Sequence, residues 1–538
     1  MAMRTSPLKT IHTQLLDFLT IVWSRLLEYV RENLRLLSGL ALLVTMAYGF
    51  ELFNFNLTID EEIHSTYSGP LLAWIQQGRW GIYLLNVLVM PKTIIPFVPL
   101  FVTLVFQMGA ILLLLNAWGV KSKSEQFIAS ALYMTFPIMA YVYTFSTFNY
   151  AIGIGLFFTS LGVYIFVNAG PKRLFSILPI AFALSIYQGF LPVILSAFLV
   201  YLLIILKRDH IFLLKDSAVF TLVFLVAYIV YDLVLRILLF LLKLKVDPYI
   251  AGQFDLVFFL KHPFGTLSQV LRHLMLPVYF GAKSLYTFNI WVMGILLLIS
   301  AMSLFLGILK FTHIQKVLGI LLAFGILFLP FASGLLMKGQ MSMRFLLAVP
   351  VAFSGSVLLG MMGRSGSYKL FVSVLAGICV YYFVISNNQL FASSYLALQE
   401  DRSFATRLID AIETARVKAG VQELHYIEVV GDYEHPSLPS MPRIETFGAS
   451  FFEWGGGDPG RVAAFLQLMG YPALHPLPLQ DRARLISLSA EMTIWPATGS
   501  VKIVDDLVIV KFGPYSAYQR QNICMVIAQS DPVFCAAP

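Results

Sequence analysis

The sequence predicts a polytopic α-helical membrane protein with a small α/β domain at its C-terminal end. Three observations carry this. Of 538 residues, 58% are hydrophobic and 12% charged, against roughly 25% charged in soluble domains. Mean hydropathy is +0.79. Apolar runs of about 20 residues recur as far as Asn387, each long enough to cross a bilayer, and then stop.

Residues 9–37 place Leu15, Phe18, Leu19, Val22, Leu26, Tyr29 and Val30 on one helical face, with Arg25, Arg31 and Arg35 on the other. This spacing predicts an amphipathic helix lying on the cytoplasmic leaflet, within a first segment 1–37. The N-terminus is basic, but no short apolar core ends in a small-residue cleavage site, so no cleaved leader is expected. A membrane domain over 38–387 follows. Its spans fall near 38–56, 94–117, 126–146, 150–168, 174–187, 190–206, 217–241, 286–309, 317–336, 345–363 and 369–387, about eleven in all. The 174–206 pair reads as a hairpin turning at Gln188-Gly189.

Counted from a cytoplasmic start, Lys121/Lys123, Lys172/Arg173, Lys207/Arg208, Lys310/Lys316 and Arg364/Lys369 all fall inside, as the positive-inside rule requires. The same count places outside the loops 57–93 and 243–285, the Tyr187-Gln188 turn, the Lys338–Arg344 stretch and the whole tail. The mix of Phe, Leu and His in 243–285 suggests helices on the outer leaflet.

Charge is divided unevenly: +13 through Asn387 and −5 beyond it. The basic part suits contact with anionic membrane lipid. No Lys/Arg block with interleaved aromatics points to nucleic acid. The tail, 388–538, reads as an α/β domain with a helix over 399–419, a buried strand over 423–431, helices over 460–470 and 480–490, and a hairpin over 500–512 turning at Asp505-Asp506. Cys379 is expected in the core. Cys524 and Cys535 could pair if the tail lies in an oxidising compartment.

The chemistry concentrates between the first two spans. Asp60, Glu61 and Glu62 cannot sit in hydrocarbon and mark a water-facing ledge. A carboxylate within hydrogen-bond reach of an acceptor hydroxyl can take its proton during glycosyl transfer. Either Asp60 or Glu61 could be that base. The plainer reading is a solvated acidic loop. His64 beside them could complete a divalent-cation site, although the spacing matches no strong metal signature. Arg79, in Gln77-Gly78-Arg79-Trp80, could pair with the carboxylates or meet a phosphate. Trp80 could stack on a sugar or serve as a membrane-belt residue. Lys338 and Arg344, with Gln340 between them, suit a lipid-phosphate leaving group, which develops negative charge; the alternative is anchoring at a helix end. Tyr187 and Gln188 offer stacking and hydrogen bonding, or helix packing. Asp232 and Arg236 are spaced to pair on one face of a span, as an ion pair at a functional site or a structural one. No Walker loop, nucleotide-binding glycine fingerprint or Cys/His array is present.

The outer acidic motif, the Gly-Arg-Trp that follows, the outer Tyr-Gln turn and the late Arg344 together resemble the type II O-antigen glucosyltransferases, the serotype-converting membrane enzymes of GT-C class. The resemblance covers residues 38–387. It implies a multi-pass protein of the bacterial inner membrane with a periplasmic active site. It implies an undecaprenyl-phosphate glucose donor and an acceptor in O-antigen or its lipid-linked precursor. Asp60 and Glu61 fall on the family's acidic motif, as Asp-Glu where Asp-Asp also occurs. Arg344, Lys338, Arg79 and Arg236 become candidates for the donor phosphate. Glu62, His64, Trp80, Tyr187, Gln188 and Gln340 become candidates for substrate contact. Two other classes compete: a lipid-linked-sugar transporter, which would place ionisable groups near mid-bilayer in paired broken helices, and a non-catalytic scaffold for polysaccharide assembly.

Overall fold

The computed structural model describes residues 31–66, 71–90, 94–206, 210–247, 252, 254–434, 442–482, 484–527 and 534–535. The amphipathic segment up to residue 30 lies outside the described residues, as does the Lys207/Arg208 cluster. Each of the eleven apolar runs is helical. Among the described residues, seven helices are long and apolar enough to cross a membrane.

The helices that form the bundle and frame its loops include α1 (Leu34–Phe53), α2 (Glu61–Thr66), α3 (Trp80–Leu88), α4 (Val98–Ala117), α5 (Lys123–Thr135), α6 (Asn149–Asn168), α7 (Ile177–Ile186), α8 (Phe190–Ile205), α9 (His210–Leu241), α10 (Trp291–Ile308), α11 (His313–Phe328), α12 (Val349–Met361) and α13 (Gly366–Ala419). Several runs are shorter than a span. α7 has 10 residues, about 15 Å and half a hydrocarbon core. It turns back into α8 at Tyr187–Gly189, where the hairpin was expected. α5 stops before Pro137, which cannot continue the ladder. Its freed carbonyls find side-chain donors: Tyr48 donates to Met134 O at 3.0 Å, and Asn387 to Thr135 O at 2.8 Å.

The principal departure from expectation is α13. The sequence reads as a span ending at 387 and a separate helix over 399–419. The structure has one helix of 54 residues, about 80 Å long. The polar triplet Ser386-Asn387-Asn388 looks like an exit from the membrane. Instead it ties α13 to its neighbours: Ser386 donates to Tyr286 O at 2.9 Å, and Asn388 to Met46 O at 2.8 Å. Ser365 caps the start and Gly420, at φ +71°, ends it in a left-handed turn.

Cations gather at one end of the bundle. Lys369 pairs with Glu125 at 2.7 Å, and Lys123 bonds Asn33 at the start of α1. Asp60 follows the far end of the same helix. The acidic ledge and this basic cluster are thus separated by the length of α1. Between α9 and α10, short helices over Leu256–Lys261 and Pro263–Gln269 leave Leu256, Leu260 and Phe264 exposed.

Beyond α13 the chain forms a four-stranded sheet of β1 (Tyr426–Val430), β2 (His475–Pro476), β3 (Val501–Val504) and β4 (Leu507–Lys511), in the order β2-β1-β4-β3. β1 is parallel to β2 and β4, and β3–β4 is the expected hairpin. α14 (Pro459–Leu468) packs on the sheet, and α15 (Ala517–Ile527) carries Cys524, disulfide-bonded to Cys535. The core of this domain includes Phe404 and Leu408 of α13, Val462 and Phe465 of α14, and Ile59 from the acidic loop. The domain and the loop therefore fold against each other.

Candidate active site

The acidic ledge is built by short-range geometry. After α1, Thr58 donates through its hydroxyl to Thr144 O at 3.0 Å. Asp60 takes φ +83°, a left-handed conformation that Asp adopts more readily than most residues. That turn starts α2 and divides three consecutive carboxylates between two directions.

Glu61 turns inward and is fully buried. Its Oε1 accepts from Ser146 N and Oγ, both at 2.6 Å, and from Thr147 N at 3.3 Å; its Oε2 accepts from Thr58 N at 3.0 Å. Burial raises its pKa, and these hydrogen bonds oppose the rise. Asp60 and Glu62 turn toward the C-terminal domain, where Arg461 bridges them. Its Nη2 lies 2.5 Å from Asp60 Oδ1 and its Nη1 2.5 Å from Glu62 Oε1. Glu62 is fully enclosed, whereas the Asp60 side chain is half exposed. Burial pushes the Glu62 carboxyl up to about 7, against the pull of Arg461.

Arg461 was not singled out by sequence reasoning, yet a signal existed. Asp458-Pro-Gly-Arg opens a helix, with Asp458 accepting from Gly460 N at 2.7 Å and Arg461 N at 3.2 Å. A cation in a helix's first turn opposes the helix dipole, so it calls for an anionic partner elsewhere.

The basic side of the site forms around the turn between α7 and α8. Gln188 Nε2 donates to Gly78 O at 3.0 Å and to Tyr231 Oη at 2.9 Å. Gly78 has φ +74°, and a Cβ there would stand 2.7 Å from Gln188 Nε2. This junction joins the Gly-Arg-Trp and Tyr-Gln motifs. Arg79 lies over the rings of Tyr187, at 5.0 Å, and Trp74, at 5.8 Å. Tyr187 stacks on Phe345 at 5.6 Å. The neighbouring Arg344 lies 5.7 Å from the Phe145 ring, and Phe145 stacks on Phe148 at 5.4 Å. The 145–148 loop therefore serves both halves: Ser146 and Thr147 hold Glu61, while Phe145 backs Arg344.

A second strap from the C-terminal domain closes this side. Glu445 accepts from Met343 N at 2.8 Å and Ser342 Oγ at 3.2 Å. Burial raises its pKa, and the amide, the hydroxyl and Arg344 pull it back. Neither Glu445 nor the 145–147 contacts had been picked out, because their roles rest on pairings far apart in sequence.

The remaining candidates are distributed. Trp80 donates through Nε1 to Tyr231 O at 3.3 Å and packs on Phe182. His64 is exposed on α2, and Gln340 is exposed beyond Gly339. Lys338 pairs with Asp255 at 3.3 Å, and its ammonium lies 5.6 Å from the Phe258 ring. Arg236 pairs with Asp232 at 2.6 Å, as their spacing suggests, with three quarters of its side chain exposed. Lys338 and Arg236 thus have partners other than the acidic ledge.

Among the described residues, no three His, Cys, Asp or Glu side chains gather as a metal group. The proposed cation donors do not converge: Glu61 faces the 145–147 loop, while Arg461 holds Asp60 and Glu62. The residues present do not fit a divalent ion.

The same burial physics gives a test in the C-terminal domain. Glu428 on β1 is buried against Arg482, at 3.1 Å, and burial pushes its pKa up to about 8 from 4.5. In the unfolded chain the carboxyl loses its proton near 4.5, whereas in the folded chain it keeps it until about 8. Its contribution to stability is therefore full below the lower value and lost as pH rises to the upper one. Glu428→Gln should flatten the fall of thermal stability across that window, measured by melting of the solubilised protein at stepped pH.

A polytopic helical protein that sets carboxylates and aromatic-backed arginines around one loop, at one end of its bundle, has the equipment of a membrane-embedded group transferase. The family model described as Glucosyl transferase GtrII matches residues 49–362, more than half of the chain. The chain belongs to this family, that of the type II O-antigen glucosyltransferases, and is a glucosyltransferase acting on glycans. No curated protein and no solved structure matches it. The matched region holds the acidic ledge, the Gly-Arg-Trp motif, the Tyr-Gln turn and Arg344. Arg461 and Glu445 lie outside it.

Proposed function

We propose that the protein transfers glucose from undecaprenyl-phosphate glucose to O-antigen or a lipid-linked glycan, on the periplasmic side of the bacterial inner membrane, with Asp60 as general base. The observation that supports this reading is the shared 145–148 loop, whose Ser146 and Thr147 hold Glu61, whose Phe145 lies against Arg344, and whose Phe148 packs on Trp74 beneath Arg79. Asp60 suits the base role better than Glu61. It is half exposed, whereas both oxygens of Glu61 are already engaged within the fold. The disulfide between Cys524 and Cys535 fits a domain in an oxidising compartment.

In the reaction, an acceptor hydroxyl oxygen attacks the anomeric carbon as its proton passes to Asp60. The bond from that carbon to the phosphate oxygen breaks, and the electron pair leaves with the lipid phosphate. Arg79 and Arg344 stabilise the charge that develops there. Rings behind both guanidinium groups keep them oriented and partly shielded from water. A β-linked donor is inverted to an α-glucoside by this single displacement.

The test is transfer by the purified chain in detergent, with synthetic polyprenyl-phosphate β-glucose and a glycan acceptor. The expected product is an α-glucoside, with nucleotide-linked glucose unused. Lipid-linked sugar moving across sealed vesicles, with no transfer in detergent, would favour a transporter instead.

A further inference from the structure

Behind the acidic ledge lies a small polar cavity that the scheme above leaves unused. It has a volume of about 20 Å³ and sits between the end of α1, the start of α4 and the loop before α6. Five polar atoms of its lining residues are buried without a hydrogen-bond partner: Glu51 Oε2, both amide atoms of Asn56, Tyr143 Oη and Asn149 Oδ1. Buried polar groups are nearly always satisfied, and a cluster left open around one hole calls for an occupant. Ser146, which grips Glu61, forms part of the wall. Exposed Phe55 and Phe97 also line the cavity.

Size and chemistry narrow the occupant. The volume admits about one water-sized group. A phosphate is too large for a hole of one water-sized group. The Asn56 amide nitrogen, a donor among acceptors, argues against a bare cation. A hydroxyl both donates and accepts, and it matches the hole in size.

Resting on the transferase reading, we infer that this cavity is a specificity subsite. It takes one hydroxyl of the transferred sugar while the pyranose ring rests against Phe55 and Phe97. Before substrate arrives a water can fill the same position, and the sugar hydroxyl displaces it while reproducing its hydrogen bonds. Because Ser146 holds both this wall and Glu61, a sugar seated here is fixed relative to the acidic ledge. Glu51, Asn56 and Tyr143 then decide which hydroxyl pattern the enzyme accepts.

The experiment compares glucose with each of its monodeoxy analogues as the polyprenyl-phosphate-linked donor, using wild type and two variants, Tyr143→Phe and Glu51→Gln. A site built to bond a hydroxyl rejects the analogue that lacks it. Wild type should discriminate against one deoxy donor by about 10- to 100-fold in kcat/KM, the effect of leaving one or two buried groups unpaired. Both variants should lose activity toward glucose and should lose most of that discrimination, with the ratios for the other deoxy donors unchanged. Tyr143→Phe removes a single oxygen, which keeps the test open if Glu51→Gln fails to fold. Glucose transfer with deoxy ratios identical in wild type and Tyr143→Phe would overturn the inference alone and make the cavity a water site only. Failure of wild type to use the glucose donor at all would overturn the donor reading, and this inference with it.

Discussion

Asp60→Asn should lower glucose transfer by about a hundred- to ten-thousand-fold, the range for losing a positioned general base. The amide keeps the size of the side chain and can still accept from Arg461, but it cannot take a proton. The side chain is half exposed, so folding should be little affected and the loss should fall on kcat rather than on expression or melting temperature. Glu61→Gln should show the opposite signature. Its carboxylate accepts four hydrogen bonds from Thr58, Ser146 and Thr147 while fully buried. An amide nitrogen placed among those donors leaves some of them unsatisfied. The cost is about 1–3 kcal/mol, read as a lower melting temperature. If Glu61→Gln abolished transfer at unchanged stability while Asp60→Asn remained active, the two roles would be exchanged.

The second large effect concerns Arg461. Its guanidinium spans Asp60 and the enclosed Glu62, linking the C-terminal domain to the loop after α1. Arg461→Met leaves Glu62 buried without its cation; removing one partner of a buried pair costs up to about 3–5 kcal/mol, and less at pH values where the raised carboxyl takes up a proton. Thermal unfolding of the solubilised protein measures this. Adding Glu62→Gln removes the stranded charge and should recover most of the loss. Activity should recover less than stability, because Asp60 still lacks the group that orients it. An Arg461→Met protein as stable and as active as wild type would mean that the link does no structural work.

Much of the architecture was legible because long hydrophobic runs form helices and turn residues end them. The eleven runs, the turn at Gln188-Gly189, the strand over 423–431 and the hairpin at Asp505-Asp506 all reappear as helices, turn and strands. The helix across residue 388 was not legible. Polarity at Ser386-Asn387-Asn388 marks an exit from hydrocarbon only when those side chains meet water, and here they meet carbonyls of neighbouring helices.

The site divides in the same way. A run of three carboxylates stands out in so apolar a chain, as does an arginine beside a tryptophan. What each carboxylate does depends on the left-handed turn at Asp60 and on partners about 85 and 400 residues away, Ser146 and Arg461. Spacing along the chain carries no information about such pairings. It could therefore nominate Asp60 and Glu61 together without separating the exposed one from the structural one.

The most direct measurement is a structure of the protein in a lipid nanodisc with a non-transferable polyprenyl-phosphate glucose analogue. On the transferase reading the phosphate lies between Arg79 and Arg344, with the anomeric carbon on the side facing Asp60. A phosphate seated at Lys338 and Asp255, or at the end of the bundle where Lys123 and Lys369 lie, would contradict it.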